Sequence, residues 1–207
     1  MMEEKIYLSD PCGVSSLPFW KTETVTIPRS LKIVRDDEYL QQEYAAYIDE
    51  PYFKLIHRMR NLQNPVLPDG FSIEDIGISD FACHIGECYA DGGIAETDLK
   101  EYINHPVYDP SLWLAVKDNL TEKTVATGIA ELDTRIGEGI LEWIQVSSEY
   151  RHMGLGMFVV NELLCRMNGK ADFVTVSGKV NNKTNPLALY ERCGFSEKVI
   201  WHVLSKQ

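Results

Sequence analysis

Three successive β-prone segments between residues 112 and 148 constrain the fold of this chain most. They are LWLAVKD (112–118), KTVATGIAELDT (123–134) and EGILEWIQVSS (138–148), separated by short polar connections. Connections this short join antiparallel neighbours, because parallel strands need a crossover of a dozen or more residues. The pattern then predicts a helix at 154–169, a strand at 172–178, a helix at 186–194 and a strand at 199–204. We therefore predict an α/β (α+β) fold with a mixed, mostly antiparallel sheet and helices on both faces.

The segment before residue 112 follows a different pattern. A strand is predicted at 30–36, and the spacing of apolar residues predicts helices over 36–50 and 51–62. The turn-rich run NPVLPDG (64–70) marks the best internal boundary. A strand at 71–77 and helices at 79–90 and 96–105 follow, with Ser79 or Asp80 as the N-cap of the first. We predict an N-terminal extension over 1–66, rich enough in aromatic residues to pack on a core of 67–207.

Composition and charge exclude several classes of protein. The 207 residues include 20 Lys and Arg against 31 Asp and Glu, a formal net charge of −11, which argues against nucleic-acid binding. No stretch approaches the roughly 20 apolar residues of a membrane span, and the acidic start is not that of a signal peptide. Five cysteines without a CxxC pair indicate reduced thiols. We therefore predict a cytoplasmic protein that binds neither nucleic acid nor membrane, and no metal, because the spacing of Cys83, His84 and Cys88 matches no common zinc pattern.

The turn at Arg151-His-Met-Gly154-Leu-Gly156 connects the last of the three strands to an apolar helix. A helix start offers unpaired N–H groups and a partial positive charge, and glycines let an anion approach them closely. Arg151 adds a fixed charge, so the turn can hold a pyrophosphate. A tight turn with a surface arginine is the alternative interpretation. A dehydrogenase-type nucleotide site is disfavoured, because Val159 stands where a third glycine is needed.

A second motif, NPLALYERCGF (185–195), follows the next strand. The two motifs together resemble the GNAT superfamily of acyl-CoA-dependent N-acyltransferases, and the resemblance covers about 67–207. It implies acetyl-CoA as cosubstrate, bound by the end of the strand, the glycine turn and the later asparagines. The implied cofactor-binding residues are Ile144, Gln145, Val146, Arg151, His152, Met153, Gly154, Leu155, Gly156, Met157, Asn182 and Asn185. Lys183 and Pro186 stand where the family often has Asn and Ala, and Asn185 can equally be a helix N-cap.

The resemblance also implies catalytic roles. Tyr190 matches the family's general acid, and a phenol stays protonated at neutral pH. Glu142 is our candidate base, because it shares the alternation of Ile140, Ile144 and Val146 in an apolar strand. The alternatives for the base are Glu131, Asp133 and water.

These features predict an N-acetyltransferase acting on a primary amine by direct attack in a ternary complex. Residues 90–143 carry eleven acids against four Lys or Arg, which favours a small cationic molecule as acceptor. A non-catalytic acyl-CoA sensor on the same fold is the alternative, and a homodimer is possible. The extension over 1–66 either walls the acceptor pocket or is structural. His57 and Arg58 are expected at its surface.

Overall fold

The structure, a computed structural model that describes residues 2–89 and 93–206, separates the chain into two units. The first unit combines Met1–Arg58 with Phe173–Gln207, and the second unit is Met59–Asp172. In chain order the helices and strands of the described residues are α1 Glu4–Ser9, α2 Phe19–Thr24, β1 Leu31–Arg35, β2 Tyr47–His57, β3 Phe71–Glu74, α3 Ile78–Cys88, α4 Glu96–Glu101, β4 Trp113–Asp118, β5 Thr124–Asp133, β6 Glu138–Val146, α5 Leu155–Met167, β7 Phe173–Lys179, α6 Pro186–Arg192 and β8 Ser196–Lys206. Short 3₁₀ turns connect several of them.

Four antiparallel strands form the sheet of the second unit, in the order β6-β5-β4-β3. On one face, Ile129 of β5 is buried in a cluster with Phe81 and Ile85 of α3. The next residue toward the N-terminus, Gly128, points to the other face, where a Cβ would lie 2.5 Å from Val159 of α5. Helices therefore cover both faces, and the predicted antiparallel strands are confirmed.

The N-cap of helix α3 lies two or three residues earlier than predicted. Its N-cap is Gly77, and the Gly77 N–H donates to Asp80 Oδ2 at 3.2 Å. Asp80 is thus the third helical residue, where its carboxylate reaches back to the cap. The prediction of Ser79 or Asp80 as the N-cap is wrong. The Asp80 carboxylate does cap the helix, but it does so from the third helical position.

The sheet of the first unit has the order β1-β8-β2-β7. Strand β2 is antiparallel to both β7 and β8, which are therefore parallel to each other. The helices predicted at 36–50 and 51–62 are wrong: residues after the 3₁₀ turn at Asp36–Glu38 form a loop and then β2. From Phe53 to His57 every residue of β2 is buried, so this stretch lacks the alternation that marks a half-exposed strand.

The N-terminal segment packs on β2 through a buried lysine. Lys54 is 2% exposed, and its ammonium donates to the carbonyl oxygens of Pro11, Ser15 and Leu17 at 2.8, 3.0 and 2.9 Å. The ring of Tyr7 lies 5.2 Å from the same nitrogen. A buried ammonium is tolerated only when its donors are satisfied, so these contacts fix residues 7–17 against the strand. The division into 1–66 and 67–207 stays a prediction, since the spatial units follow different bounds.

His202 on β8 carries a second polar cluster in the first unit. Its Nδ1 lies 2.9 Å from Asp49 Oδ2, its Nε2 lies 3.0 Å from Asp36 Oδ1, and Tyr39 stacks on its ring at 3.8 Å. Burial alone would lower the pKa of His202, but the hydrogen bonds to Asp36 and Asp49 raise it above its ordinary value. The cluster therefore attaches the loop after β1 to β8.

Stability should depend on pH through this histidine. The pKa of His202 in the folded protein lies above its unfolded value of about 6.5. Protonated His202 therefore stabilises the fold fully below about pH 6.5, and this contribution is lost as pH rises through the folded pKa. His202→Gln should therefore lower the free energy of unfolding more at about pH 5.5 than at about pH 9. Urea unfolding of both proteins at the two pH values measures this difference. An equal or larger loss at the higher pH would contradict it.

Among the helices of the described residues, none combines the length and apolar character that crossing a bilayer requires.

Candidate functional site

The glycine turn that precedes α5 has the backbone of an anion-binding site. Gly154, the N-cap, has φ +89°, a left-handed conformation that side chains rarely adopt. His152 also has positive φ (64°), so the chain bends sharply twice before the helix. Arg151 Nε donates to Val146 O at 3.3 Å, which ties the turn to the end of β6. His152 and Met153 are exposed.

The first turn of α5 presents its backbone donors at this bend. The first intrahelical bond runs from Phe158 N–H to Gly154 O at 3.0 Å. The N–H groups of Leu155, Gly156 and Met157 therefore precede the helical ladder. The Leu155 side chain is buried and anchors the helix start, while Met157 is exposed. A 13-residue helix with a left-handed glycine cap and an adjacent arginine can hold a pyrophosphate.

The strand β6 contains a bulge at Glu142. Trp143 pairs with Ile129 and Leu141 pairs with Ala130, which leaves Glu142 as the extra residue. The expected alternation of Glu142 with Ile140, Ile144 and Val146 is therefore wrong. Glu142 is half-buried at the irregularity.

Beyond the bulge, β6 is held from both faces. Ile144 pairs with Gly128 and turns toward α5, since a Cβ on Gly128 would lie 3.3 Å from Ile144 Cδ1. Gln145 turns the other way, is buried, and donates through Nε2 to Thr127 Oγ1. The remaining amide oxygen of Gln145 has no hydrogen-bond partner among the described residues. Val146 ends the strand beside Arg151.

A buried histidine supports the same end of β6 from α3. His84 Nδ1 lies 2.9 Å from Thr127 Oγ1, and its Nε2 lies 2.9 Å from Ser147 Oγ. Burial lowers the pKa of His84, so its neutral ring bridges α3, β5 and the residue after β6. Cys88 Sγ is 3.7 Å from the same Nε2. The spacing of Cys83, His84 and Cys88, which matches no common zinc pattern, gives no sign of these bridging contacts.

The remaining predicted site residues lie in the first unit. Tyr190 of α6 is buried, with its ring 6.2 Å from Phe53 of β2 and 5.7 Å from Phe195. Asn182 accepts through Oδ1 from the Thr184 N–H at 2.9 Å, a local turn contact. Asn185 occupies the N-cap of α6 with a left-handed backbone and makes no side-chain cap bond there. The side chain of Asn185, unlike that of Asn182, is thus not engaged in its own turn.

His57 and Arg58, at the end of β2, differ from each other. His57 is buried and packs on Phe195 at 5.3 Å, and burial lowers its pKa. The prediction that it lies at the surface is wrong, because β2 enters the middle of its sheet. Arg58 is exposed and donates to both carboxylate oxygens of Glu197 at 2.9 and 2.6 Å.

The alternative bases, Glu131 and Asp133, lie on the β5–β6 hairpin and are 2% and 6% exposed. Glu131 Oε1 is 2.9 Å from Nδ1 of His105, a residue that sequence reasoning did not select. Nothing in the sequence marks the pair, since His105 follows a short 3₁₀ turn 26 residues before its partner. Only the path of the chain brings them together.

The comparisons with known proteins agree with this architecture. Residues 109–197 match the family model described as an acetyltransferase (GNAT) domain. The GCN5-related N-acetyltransferase of Sphaerobacter thermophilus is 16% identical over 88% of this chain and 63% of that chain, with a TM-score of 0.66. A GNAT-family acetyltransferase of Colwellia psychrerythraea is 16% identical over 84% and 64%, with a TM-score of 0.59. This chain thus spans slightly less than two thirds of either structure.

The ribosomal-protein-S18-alanine N-acetyltransferase of Escherichia coli is 18% identical over 66% of this chain and 95% of that chain, with a TM-score of 0.51. Identities at this level reflect a shared fold. No curated protein matches the sequence. Residues 109–197 thus match a GNAT acetyltransferase domain, and the chain shares the fold of GNAT structures.

Proposed function

We propose that this protein transfers an acetyl group from acetyl-CoA to a primary amine. The observation that carries the proposal is the left-handed glycine cap of α5, joined through Arg151 to the end of the bulged strand β6. That arrangement provides backbone donors and a fixed positive charge for a pyrophosphate beside a strand interrupted by a bulge.

The residues of the second unit have defined tasks in this reaction. Arg151 and the N–H groups at the start of α5 hold the pyrophosphate, with His152 and Met153 contributing backbone. The main chain of Ile144, Gln145 and Val146 holds the pantetheine arm and supplies a donor for the developing oxyanion. Glu142, at the bulge, is positioned beside this stretch as a candidate base. From the resemblance alone, Tyr190 of the first unit is proposed as the acid that protonates the departing sulfur, and Asn185 as a residue that binds pantetheine.

Direct attack of the amine is favoured over an acyl-cysteine route. Cys193 follows α6 and is the cysteine nearest to Tyr190 in sequence. Burial raises the pKa of Cys193 to about 11, which keeps the thiol protonated and weakly nucleophilic at neutral pH. We therefore assign the reaction to a ternary complex.

The acceptor is proposed to be a small cationic molecule. Three carboxylates of the β5–β6 hairpin, Glu131, Asp133 and Glu138, are each at least 94% buried. Asp133 and Glu138 are directly paired across the hairpin, and Glu131 lies two residues from Asp133 on the same face. Such a concentration of acidic side chains favours the approach of an ammonium group over that of an anion.

Acetyl-CoA should raise the melting temperature of the protein, and NAD should not. Ligand at about 100 times its Kd stabilises a native protein by about 2.7 kcal/mol, or roughly 5–10 °C for a chain of this size. Gly154→Glu should abolish the shift, because a carboxylate would enter the anion site. Arg151→Gln, which leaves the glycine backbone intact, should reduce it. Thermal denaturation with each ligand measures the effect, with exposed Arg29→Gln as the control.

A shift with NAD but none with acetyl-CoA would overturn the proposed function. If the rise in melting temperature with acetyl-CoA were unchanged in both Gly154→Glu and Arg151→Gln, the cosubstrate would bind somewhere other than the start of α5.

A further inference from the structure

We propose that the adenine ring of acetyl-CoA packs on an apolar rim beside the glycine turn, formed by the exposed side chains of Val66, Met153 and Met157. The inference rests on the acetyltransferase function proposed above, and it adds a nucleotide contact to the same cosubstrate site. Every residue in the argument belongs to the second unit.

A proline-rich segment, residues 64–68, lies against the glycine turn and is called the strap below. A Cβ on Gly154 would lie 3.5 Å from Pro68 Cγ, so the end of the strap touches the N-cap of α5. Just before the strap, Gln63 O accepts from Cys165 Sγ at 3.7 Å, near the other end of the same helix. The 11 residues from Gly154 to Cys165 span about 16 Å of helix, which five residues of extended chain also span. The strap therefore runs extended along α5.

The sequence of the strap makes it rigid and turns one apolar side chain outward. Pro65 and Pro68 fix their own φ at about −65°, and each disfavours helical backbone at the residue before it. Pro65, Leu67 and Pro68 are half-buried, whereas Val66 is 76% exposed. Two residues of extended chain measure about 7 Å, so the strap fixes Val66 as an apolar projection at that distance from the contact with Gly154.

The glycine turn adds exposed apolar side chains of its own. Met153, directly before Gly154, is 49% exposed, and Met157 in the first turn of α5 is 36% exposed. Single apolar residues at a surface are ordinary, but these two and Val66 lie around a helix start that offers backbone donors. An apolar rim next to an anion site suits a ligand that carries a flat, uncharged ring next to a phosphate.

The position of the rim selects the adenosine half of the cosubstrate. In the proposed function the pantetheine arm runs along β6, whose last residue, Val146, accepts from Arg151 Nε at 3.3 Å. The strap meets the turn at Gly154 instead, so the other arm of the pyrophosphate reaches the rim. Valine and methionine side chains suit the uncharged adenine ring. The exposed carboxylate of Asp69, directly after the strap, disfavours a phosphate at the rim.

A second copy of the chain is the competing occupant of an exposed apolar rim. A stable protein interface buries about 800 Å² on each partner, contributed by about 20–30 residues. Three side chains supply a small part of that area, whereas they match the size of one purine ring. The rim is also continuous with the proposed pyrophosphate site, which a second copy does not require.

Binding of ligands that differ in the adenosine tests the inference. CoA and 4′-phosphopantetheine share the pantetheine arm, but only CoA carries adenine. In isothermal titration calorimetry, Val66→Asn should raise the Kd of CoA about 10-fold, the effect of losing one buried valine side chain, and leave that of 4′-phosphopantetheine unchanged. Met153→Gln should act in the same direction. Adenosine 3′,5′-bisphosphate, which lacks the pantetheine arm, should lose affinity in both variants as CoA does.

The matched control is Leu120→Asn, at an apolar residue that is 90% exposed and lies outside the rim. It should bind all three ligands like the wild type. An unchanged Kd of CoA in both rim variants would overturn the inference, and so would an equal loss for 4′-phosphopantetheine, which would place the rim on the pantetheine arm. A rim variant that changes only its oligomeric state in size-exclusion chromatography would assign the rim to a second copy. Wild-type protein that binds none of the three ligands would overturn the proposed function, and the inference with it.

Discussion

Deleting residues 1–58 should leave a chain whose remaining first unit does not fold. Strand β2 lies between β7 and β8 and pairs with both, so its removal exposes two strand edges at once. Phe53, Leu55 and Ile56 are fully buried. Burial of each is worth about 1.5–3 kcal/mol, and their sum is comparable to the 5–15 kcal/mol that stabilises a typical domain. Size-exclusion chromatography and far-UV circular dichroism should show aggregation or lost structure.

A cut in the chain provides the matched control for this deletion. A protease site inserted after Val66, which is 76% exposed, separates residues 1–66, and with them the deleted segment, without removing any of them. The cut protein should keep its fold because β2 stays paired. A soluble, folded and active deletion variant would contradict a structural role for this segment. A soluble variant that binds acetyl-CoA without turnover would instead assign it to the wall of the acceptor pocket.

Tyr190→Phe should lower turnover by about 10²–10⁴-fold, the usual contribution of a general acid. The Phe variant preserves the ring contacts with Phe53 and Phe195 and loses only the hydroxyl. Stability and the acetyl-CoA-induced shift in melting temperature should therefore remain near wild type. Steady-state kinetics with a saturating amine measure the effect on kcat.

The control for this change is Tyr52→Phe, which likewise removes one tyrosine hydroxyl in the first unit, from a side chain that is half-buried. It should turn over like the wild type. Equal turnover by Tyr190→Phe would mean either that Tyr190 serves packing alone or that departure of the thiolate does not limit the rate.

The second unit was largely predictable because its elements have clear local signals. Strands β4, β5 and β6 are separated by short polar turns, and the apolar run of α5 starts at Gly154 and ends near Gly169. The positive φ at Gly154 and the start of α5 could also be predicted, because a glycine directly before an apolar helical run favours both. Anion binding at this turn stays a prediction. The resemblance to the GNAT superfamily rested on the same residues.

Strand β2 could not be predicted from local pattern. Tyr39 and Tyr44 have helical spacing, yet their rings stack at 5.7 Å in a loop attached to His202. The buried run from Phe53 to His57 reads equally as a helix or as a strand with both faces covered. Only the partners β7 and β8, more than 110 residues further along the chain, decide between them.

The site had two features that pattern could not reveal. The bulge at Glu142 inserts one residue into the alternation of β6. The side chains before the bulge therefore point to the face opposite the one that a regular alternation from Trp143 would give. The contact of His105 with Glu131 joins a loop to a strand and leaves no periodic trace. Both are tertiary features.

Release of free thiol from acetyl-CoA, measured with and without primary amines, tests the central claim most directly. The proposed function predicts amine-dependent thiol release by the wild type, with a mass increase of one acetyl group on the amine. It also predicts that a cationic amine outperforms a neutral or anionic one of similar size. Acetyl-CoA binding that raises the melting temperature, with no thiol released in the presence of any amine, would contradict it and identify the protein as an acyl-CoA sensor on the same fold.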